Sequence, residues 1–347
     1  MKKLLHKIRI RRAKAPLPDR ITSDTVAQHR EHILAGGRRF KYPVQYARHK
    51  LVINAIIISV AALIFILALG WWQLYPAQNT SEFMYRVTKV VPVPVAYVDG
   101  QPVLYSDYLM KYLSSVHYLE QKEQVSLKSD DGKRRIDFIK QNSMHDAIAD
   151  SYAKKLANGL KLSISNDELN RFIKDQRKSS DGEISEQTYD AVILDYFNWS
   201  PSEYRHITEA KLLRQKVSYA VDKIASKTAD DINSAIMNNV SIIFKDSVAK
   251  FSSDSGLKIT YGTSGLVPKT NQDGGLAAEA SKLQKQQVSP MIKSGNGDGY
   301  YFVRLLDIND TQVSYEYIQV PLTVFTKDLE NIEKSNKVNY FISVPKS

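Results

Sequence analysis

One uncharged stretch constrains this chain more than any other feature. Residues 51–72, LVINAIIISVAALIFILALGWW, contain no Asp, Glu, Lys, Arg or His. As an α-helix they extend about 33 Å at ~1.5 Å per residue, enough to cross a hydrocarbon core of roughly 30 Å. We therefore predict a transmembrane helix over 51–73. A cleaved signal peptide is the alternative, but its apolar core is usually about 7–15 residues long and follows a short basic leader.

Positive charge is concentrated on one side of this span. Residues 1–50 contain 14 Lys and Arg against three acidic residues, so the whole net charge of +11 lies there. The other end of the span carries Trp71, Trp72 and Tyr75, which are typical of an interfacial aromatic belt. By the positive-inside bias, we predict a cell-membrane protein with 1–50 in the cytoplasm and 74–347 outside.

The basic segment 1–50 has two interpretations. It could contact anionic lipid or RNA near the membrane, since each Lys or Arg at an anionic leaflet contributes on the order of 1 kcal/mol. Alternatively, it only fixes the topology. We favour the second, because the charges of residues 1–39 have no aromatic side chains among them, as a base-stacking surface would require, and we expect no nucleic-acid partner.

The residue inventory narrows the chemistry of the external part. The chain has no cysteine, so disulfides, thiolate ligands and thiol nucleophiles are excluded. Its seven histidines are dispersed without ligand spacing. The glycines form no phosphate-binding pattern. We therefore predict no metal site and no cofactor.

After a linker at 74–92, residues 93–226 have the pattern of a helical domain. Two short strands flank an Asp99–Gly100 turn, and helices with apolar faces follow. One long helix is expected at about 134–158, ended by Asn158–Gly159. Capping boxes at Ser165–Glu168 and Ser200–Glu203 predict two further helix starts.

The sequence pattern changes after residue 226. Short helical patterns, glycine turns and strands alternate over 227–312, and GYYFVRLLDI is the clearest strand. We expect the strands in 313–347 to complete the same sheet. The predicted fold is therefore a single transmembrane helix, an external all-α domain and an α+β domain.

The helical part resembles the membrane-anchored and periplasmic foldases of the SurA, PrsA and PpiD kind. The resemblance is carried by VAYVDGQPVLYSDYLMKYL, LANGLKLSISNDELNRFI and NWSPSEYRHITEAKLLRQKV, and it extends over about residues 93–305. The single anchor is most similar to the PpiD type. The resemblance implies a chaperone that binds unfolded polypeptides.

The following domain resembles a parvulin-type prolyl isomerase. FKDSVAKFSSDSG, GTSG, LQKQQVSPMI and GYYFVRL match its elements in order. The resemblance puts Asp254 at a site position, although a turn residue is the simpler interpretation. It also puts Leu276 where parvulins tend to carry Phe.

The departures from the parvulin pattern concern its two histidines. Tyr301 occupies the place of one, and no histidine follows His206. The best match to the missing first strand is VSYEYIQV, after the last strand, with Tyr317 at the second histidine place. We predict that this strand pairs beside 299–305 and brings Tyr317 near Tyr301. A tyrosine pair can preserve packing and a hydroxyl but cannot reproduce the hydrogen-bonding of two imidazoles, so we predict little or no isomerase activity.

The predicted function is a membrane-anchored extracytoplasmic chaperone with a degenerate isomerase domain. Its predicted partners are unfolded client polypeptides, membrane lipid through 51–73, and, as a further candidate, the secretion translocon. Apolar and aromatic side chains of the external helices are the candidate client-binding residues. They are Met110, Tyr112, Tyr118, Met144, Tyr152, Tyr189, Tyr196 and Tyr204.

Two rival functions remain open. An envelope scaffold would use the same domains to bind one folded partner, and an active parvulin-type isomerase would accelerate proline isomerisation. A broad client range favours the chaperone, a single stoichiometric partner favours the scaffold, and proline-dependent rate acceleration favours the enzyme.

Overall fold

The computed structural model describes residues 20–41, 43–179, 182–238 and 243–345. They form two compact units, Met1–Gln73 and Leu74–Ser347.

The first unit holds α1 (Ser23–Lys41) and α2 (Pro43–Leu74) up to Gln73. Leu74, the last residue of α2, belongs to the second unit. Within α2, His49–Leu74 is long and apolar enough to cross a membrane, with a mean hydropathy of 2.9. The apolar side chains between Leu51 and Trp72 are exposed on all sides of the helix. The start of the basic segment, residues 1–19, lies outside the described residues.

The second unit begins with a helical part. Its helices are α3 (Glu82–Val90), α4 (Tyr105–Gln121), α5 (Asp130–Leu160), α6 (Asn166–Gln176), α7 (Glu186–Phe197) and α8 (Pro201–Val221). Two-residue strands β3 (Lys178–Ser179) and β4 (Gly182–Glu183) pair between α6 and α7. A serine N-cap whose side chain accepts a backbone N–H starts most of these helices. These caps are Ser81, Ser129, Ser165, Ser185 and Ser200.

A small sheet lies at the entrance of the helical part. The strands β1 (Pro94–Val98) and β2 (Gln101–Leu104) form a hairpin around Asp99–Gly100, both of which have positive φ. This two-residue turn matches the right-handed twist of the strands, as the sequence predicts. A third strand, β9 (Val338–Tyr340), comes from the far end of the chain and pairs with β1.

An α+β part follows the helices. It contains α9 (Lys223–Asn238), α10 (Phe244–Ser255), β5 (Thr260–Pro268), α11 (Leu276–Ala280), β6 (Ile292–Lys293), β7 (Gly299–Ile308) and β8 (Gln312–Pro321), and it leads to α12 (Val324–Lys334). Its antiparallel sheet has the strand order β5-β8-β7-β6. The predicted pairing of VSYEYIQV beside 299–305 is confirmed, because β8 pairs with β7 along its whole length.

The two faces of this sheet bury different clusters. Alternate residues of β7 such as Tyr300 and Phe302 pack with α9 and α10. The intervening residues, among them Tyr301 and Val303, pack with α11 on the other face. The strict alternation follows from the pleat and explains why the β7 sequence is apolar at nearly every position.

The end of the chain returns to the helical part. Phe325, Leu329 and Ile332 of α12, together with Val338 of β9, are buried in the same core as α4 and α5. The prediction that 313–347 completes the α+β sheet holds for β8 but is wrong for the residues after it. Because α12 has one apolar face, it buries that face against the core of the helical part and does not continue the sheet as a fifth strand.

The predicted linker at 74–92 is also structured. It contains α3, and Leu74, Met84 and Tyr85 are buried in the helical core. The Tyr105 hydroxyl donates to the Leu74 carbonyl oxygen at 2.8 Å. The segment is therefore part of the folded unit from its first residue.

One buried carboxylate lies where the chain passes from the helical part to the α+β part, next to the place where it returns. Asp222, between α8 and α9, has no exposed surface. It accepts the backbone N–H of Ala225 at 2.9 Å, and those of Thr323 and Val324 at 2.7 and 3.1 Å. Asp222 thereby fixes the point where the chain leaves the helical part next to the point where it returns.

Candidate functional site

An open groove of about 560 Å³ runs across the helical part. Its sides come from α4, α5 and α8, and from the loop between α7 and α8. Its apolar lining includes Leu119, Ile139, Phe197, Trp199 and Ile207. The volume lies within the range of roughly 300–1,000 Å³ that is usual for ligand pockets.

Local backbone chemistry holds the aromatic end of the groove. Asn198 ends α7 in the left-handed conformation at φ 55°, and Ser200 starts α8 with a complete capping box to Glu203. Trp199 is thereby fixed between a helix stop and a helix start. Its ring stacks on Phe197, with centroids 4.9 Å apart.

The indole of Trp199 also presents an unused hydrogen-bond donor. Its Nε1 is buried and has no hydrogen-bond acceptor among the described residues. An unpaired donor of this kind is costly to leave without a partner.

Exposed aromatic side chains form the lip of the groove. Phe138 on α5 is 62% exposed, and Tyr118 on α4 is 38% exposed. Both line the groove. Tyr118 contacts Tyr196 of α7, with ring centroids 6.4 Å apart, and Lys122 lies over the Tyr196 ring. The lip is therefore an apolar surface in contact with water.

The charges around the groove are mutually compensated. Arg135 pairs with Glu123 at one edge. At the other, Lys111 lies 2.8 Å from Asp150, and Arg214 bridges Asp150 to Asp146. The rim therefore favours neither anionic nor cationic ligands strongly, and apolar contact dominates the chemistry of the groove.

Four of the eight predicted client-binding residues do not lie at the surface. They are buried in the core of the helical part. These residues are Met110, Tyr112, Met144 and Tyr152. Each lies on the inward face of its helix, where the apolar period that made it conspicuous also buries it, and client binding by these residues stays a prediction.

The other four form two aromatic pairs. Tyr118 and Tyr196 are exposed beside the groove. Tyr189 and Tyr204 join α7 to α8 through a 2.8 Å hydrogen bond between their hydroxyls, and both are half-buried. Only the first pair has the exposure that client binding requires.

The sequence pattern did not predict three aromatic residues of the groove, Phe138, Phe197 and Trp199. Phe138 interrupts the polar face of α5, and an apolar residue on the outward face is the signal that could have identified it. Trp199 lies between Asn198 and Ser200, two strong capping residues, so its fixed position was also readable from the local sequence.

The positions that resemble an isomerase site lie on the α11 face of the sheet. Tyr301 and Tyr317 are neighbours there, with ring centroids 5.7 Å apart, as predicted. Gly262 of β5 pairs with Tyr317, and a Cβ at Gly262 would lie 2.5 Å from the phenol ring. A side chain at position 262 would therefore displace the Tyr317 ring from its place over the strand.

The hydroxyls of this tyrosine cluster are committed to carboxylates. Tyr301 donates to Asp298 at 2.7 Å, and Tyr315 donates to Asp273. Burial, together with these hydrogen bonds, raises the pKa of Tyr301 and that of Tyr315 well above the ordinary value. Both phenols are therefore neutral donors whose protons are already engaged, and they are not available to a substrate amide.

The remaining two isomerase-like positions do not complete a site. Leu276 is buried against the tyrosine face. Asp254 is exposed on α10, whose inward side chains pack on the opposite face of the sheet. The structure therefore brings Tyr301, Tyr317 and Leu276 together, and Asp254 belongs to the other side.

Taken with the groove, the fold defines a helical binding domain. The family model for the SurA-like N-terminal domain matches residues 45–218, half of the chain. The chain therefore belongs to the SurA-like N-terminal domain family, a family of chaperones. No curated protein matches it.

Proposed function

We propose that the protein is a membrane-anchored extracytoplasmic chaperone that holds unfolded, newly translocated polypeptides. The observation that carries the proposal is the aromatic groove on the SurA-like domain. It combines exposed Phe138 and Tyr118 with an apolar floor and a compensated rim. Such a surface can accept many apolar segments without selecting one charge pattern.

The anchor is the apolar span of α2. The local charge of +11 in residues 1–50 supports a cytoplasmic N-terminus, and the membrane span would then keep the groove on the outer side. A chaperone tethered in this way meets clients where they leave the membrane. The secretion translocon is a candidate neighbour on the same argument.

The α+β part is best interpreted as a degenerate parvulin-like domain. The adjacency of β7 and β8, with Tyr301 beside Tyr317, supports this interpretation. The committed hydroxyls and the buried Leu276 count against an active isomerase. A proline-peptide assay in which the rate enhancement disappears on Tyr301→Ala would favour the enzyme instead.

The groove can be tested with the full chain in lipid nanodiscs and a chemically denatured client. We expect near-stoichiometric protein to slow aggregation without nucleotide or metal, as followed by light scattering. Phe138→Asp should remove most of this effect because it places a charge among apolar contacts.

The matched control is Leu266→Asp, which changes an exposed apolar residue on β5. It should protect the client as the wild type does. Equal protection by the wild type and Phe138→Asp would contradict the assignment of the groove, and no protection by the wild type would contradict the chaperone function. Recovery of one stoichiometric folded partner would favour the scaffold.

A further inference from the structure

The helix that follows the membrane span has two apolar faces. The inner face of α3 buries Met84, Tyr85 and Thr88 in the helical core. The opposite face carries Phe83, which is 71% exposed, and Val90, which is 82% exposed. Residues four and seven positions apart share one face of a helix, so half-buried Val87 lies between them.

This outer stripe continues beyond the helix. Val91 is exposed and so is Pro92, where the chain turns toward β1. We name Phe83, Val87, Val90, Val91 and Pro92 the outer stripe. The core that buries α3 is complete on its other face, so folding of the second unit does not account for these exposed apolar side chains.

The chain itself indicates what covers the outer stripe. The apolar span ends at Leu74, and only seven residues separate it from the start of α3 at Glu82. At no more than about 3.6 Å per residue, this connection keeps α3 within roughly 30 Å of the point where the span ends. Leu74 and α3 also belong to one buried core, so the connection is not a free tether.

The charges of α3 are consistent with a position at a lipid surface. Arg86 and Lys89 flank the stripe, and their partners are Glu82 and Glu203, which leaves little net charge to oppose entry into the headgroup region. Amphipathic helices of this kind lie in the interface with the apolar face roughly 5–10 Å deep.

We propose that the outer stripe of α3 inserts into the membrane–water interface on the outer side of the membrane, as a second, peripheral contact beside the transmembrane anchor. The occupant is lipid. The proposal rests on the membrane anchor of the proposed function. Its consequence is a fixed orientation of the groove relative to the membrane surface, where a single-helix anchor alone would allow rotation.

The absence of cysteine permits a direct test on the full chain in phospholipid vesicles. Val90→Cys would carry a polarity-sensitive fluorophore. Ile58→Cys would report insertion of the span, and Asp310→Cys in the β7–β8 turn would report an exposed polar site. Quenching is measured with brominated lipid and with aqueous iodide, in zwitterionic and in anionic vesicles.

We expect the probe at position 90 to be quenched by brominated lipid and to be several-fold less accessible to iodide than the probe at 310. The result should hold in both vesicle types, because the contact is apolar. Phe83→Asp combined with Val90→Cys should restore iodide access, whereas Phe138→Asp should leave it unchanged.

The outcomes separate the two proposals. Lipid quenching at 58 with free iodide access at 90 would overturn the peripheral contact and leave the anchor intact. No lipid quenching at 58 would overturn the anchor and with it this inference. Protection from iodide at 90 without lipid quenching would show that protein covers the stripe, which also overturns it.

Discussion

At the residue scale, Glu203 performs two tasks with one carboxylate. It closes the capping box of α8 by accepting from the Ser200 backbone at 2.9 Å. It also accepts from the Tyr85 hydroxyl at 2.6 Å and from Lys89 at 2.9 Å, which joins α8 to α3. Burial disfavours the ionised form, but these hydrogen bonds outweigh burial and lower the pKa of Glu203 to about 2.

The lowered pKa predicts a pH dependence of stability. An unfolded glutamate has a pKa of about 4.3, so the contribution of Glu203 is fully present above that pH and is lost as the pH falls toward 2. We expect Glu203→Gln to destabilise the protein by about 1 kcal/mol at pH 7, because the Tyr85 and Lys89 side chains lose their charged acceptor. Its stability should also fall less steeply than that of the wild type between pH 4 and 2.

Denaturation followed by circular dichroism at a series of pH values measures both effects. The control is Glu330→Gln on α12, an exposed partner of Lys334 whose loss should leave the profile close to that of the wild type. Parallel pH profiles for the wild type and Glu203→Gln would contradict the assignment.

At the element scale, helix starts with a strong capping sequence were predicted correctly. The Ser165 and Ser200 caps were predicted and are confirmed, since a cap is a contact between residues three apart in the sequence. The predicted stop at Asn158–Gly159 is wrong. The helix α5 continues to Leu160, and Lys161 takes the left-handed conformation instead.

The reason is that tertiary packing overrides a weak local signal. Glycine in a helix costs about 1 kcal/mol relative to alanine, and burial of Ala157 together with Leu156 beside it can offset that cost. The pairing of β7 with β8 was predictable from a short connection and alternating side chains. By contrast, β9 has three residues, and its pairing with β1 depends on contacts far along the chain.

The helical Gly159 gives a prediction of its own. A Cβ at this position meets no atom within 4 Å. We expect Gly159→Ala to stabilise the protein by about 0.5–1 kcal/mol, because alanine loses less backbone entropy in a helix. Chemical denaturation measures the difference.

The contrasting variant is Gly100→Ala, where the space is equally open but φ is 82°. It should destabilise, because a Cβ is strained in that conformation. A destabilising Gly159→Ala would show that this position is not helical.

At the scale of the whole molecule, the sequence predicted the order of the parts along the chain. It did not predict which distant segments pack together. The apolar span, the helical part and the α+β part follow from local patterns. The groove does not, because its lining comes from α4, α5, α8 and the loop before α8, and no local pattern places Phe138 beside Trp199. The return of the C-terminal segment depends on Asp222, whose role requires the backbone of Thr323 and Val324.

This return predicts that the helical part needs the end of the chain. Deletion of 323–347 would uncover the core where Phe325, Leu329 and Ile332 pack. We expect the truncated protein to lose cooperative unfolding and to bind a hydrophobic dye. Asp222→Ala should act in the same direction with a smaller effect of about 1–3 kcal/mol, because three backbone N–H groups lose their acceptor.

Thermal unfolding of the full chain and both variants measures these effects. A matched deletion of 346–347 removes only the last two residues and should leave the transition unchanged. A cooperative transition at the wild-type temperature after deletion of 323–347 would show that the helical part is complete without the C-terminal segment.

The pairing of β1 with β9 also sets the order of events during synthesis. Ala96 pairs with Tyr340, and chain-closing contacts over such a separation form late and slowly. The ribosome delivers β1 long before β9, so the core of the helical part stays open until residues 338–340 have been made. During that interval the growing chain exposes apolar side chains that the finished fold buries, so its own synthesis includes an aggregation-prone stage.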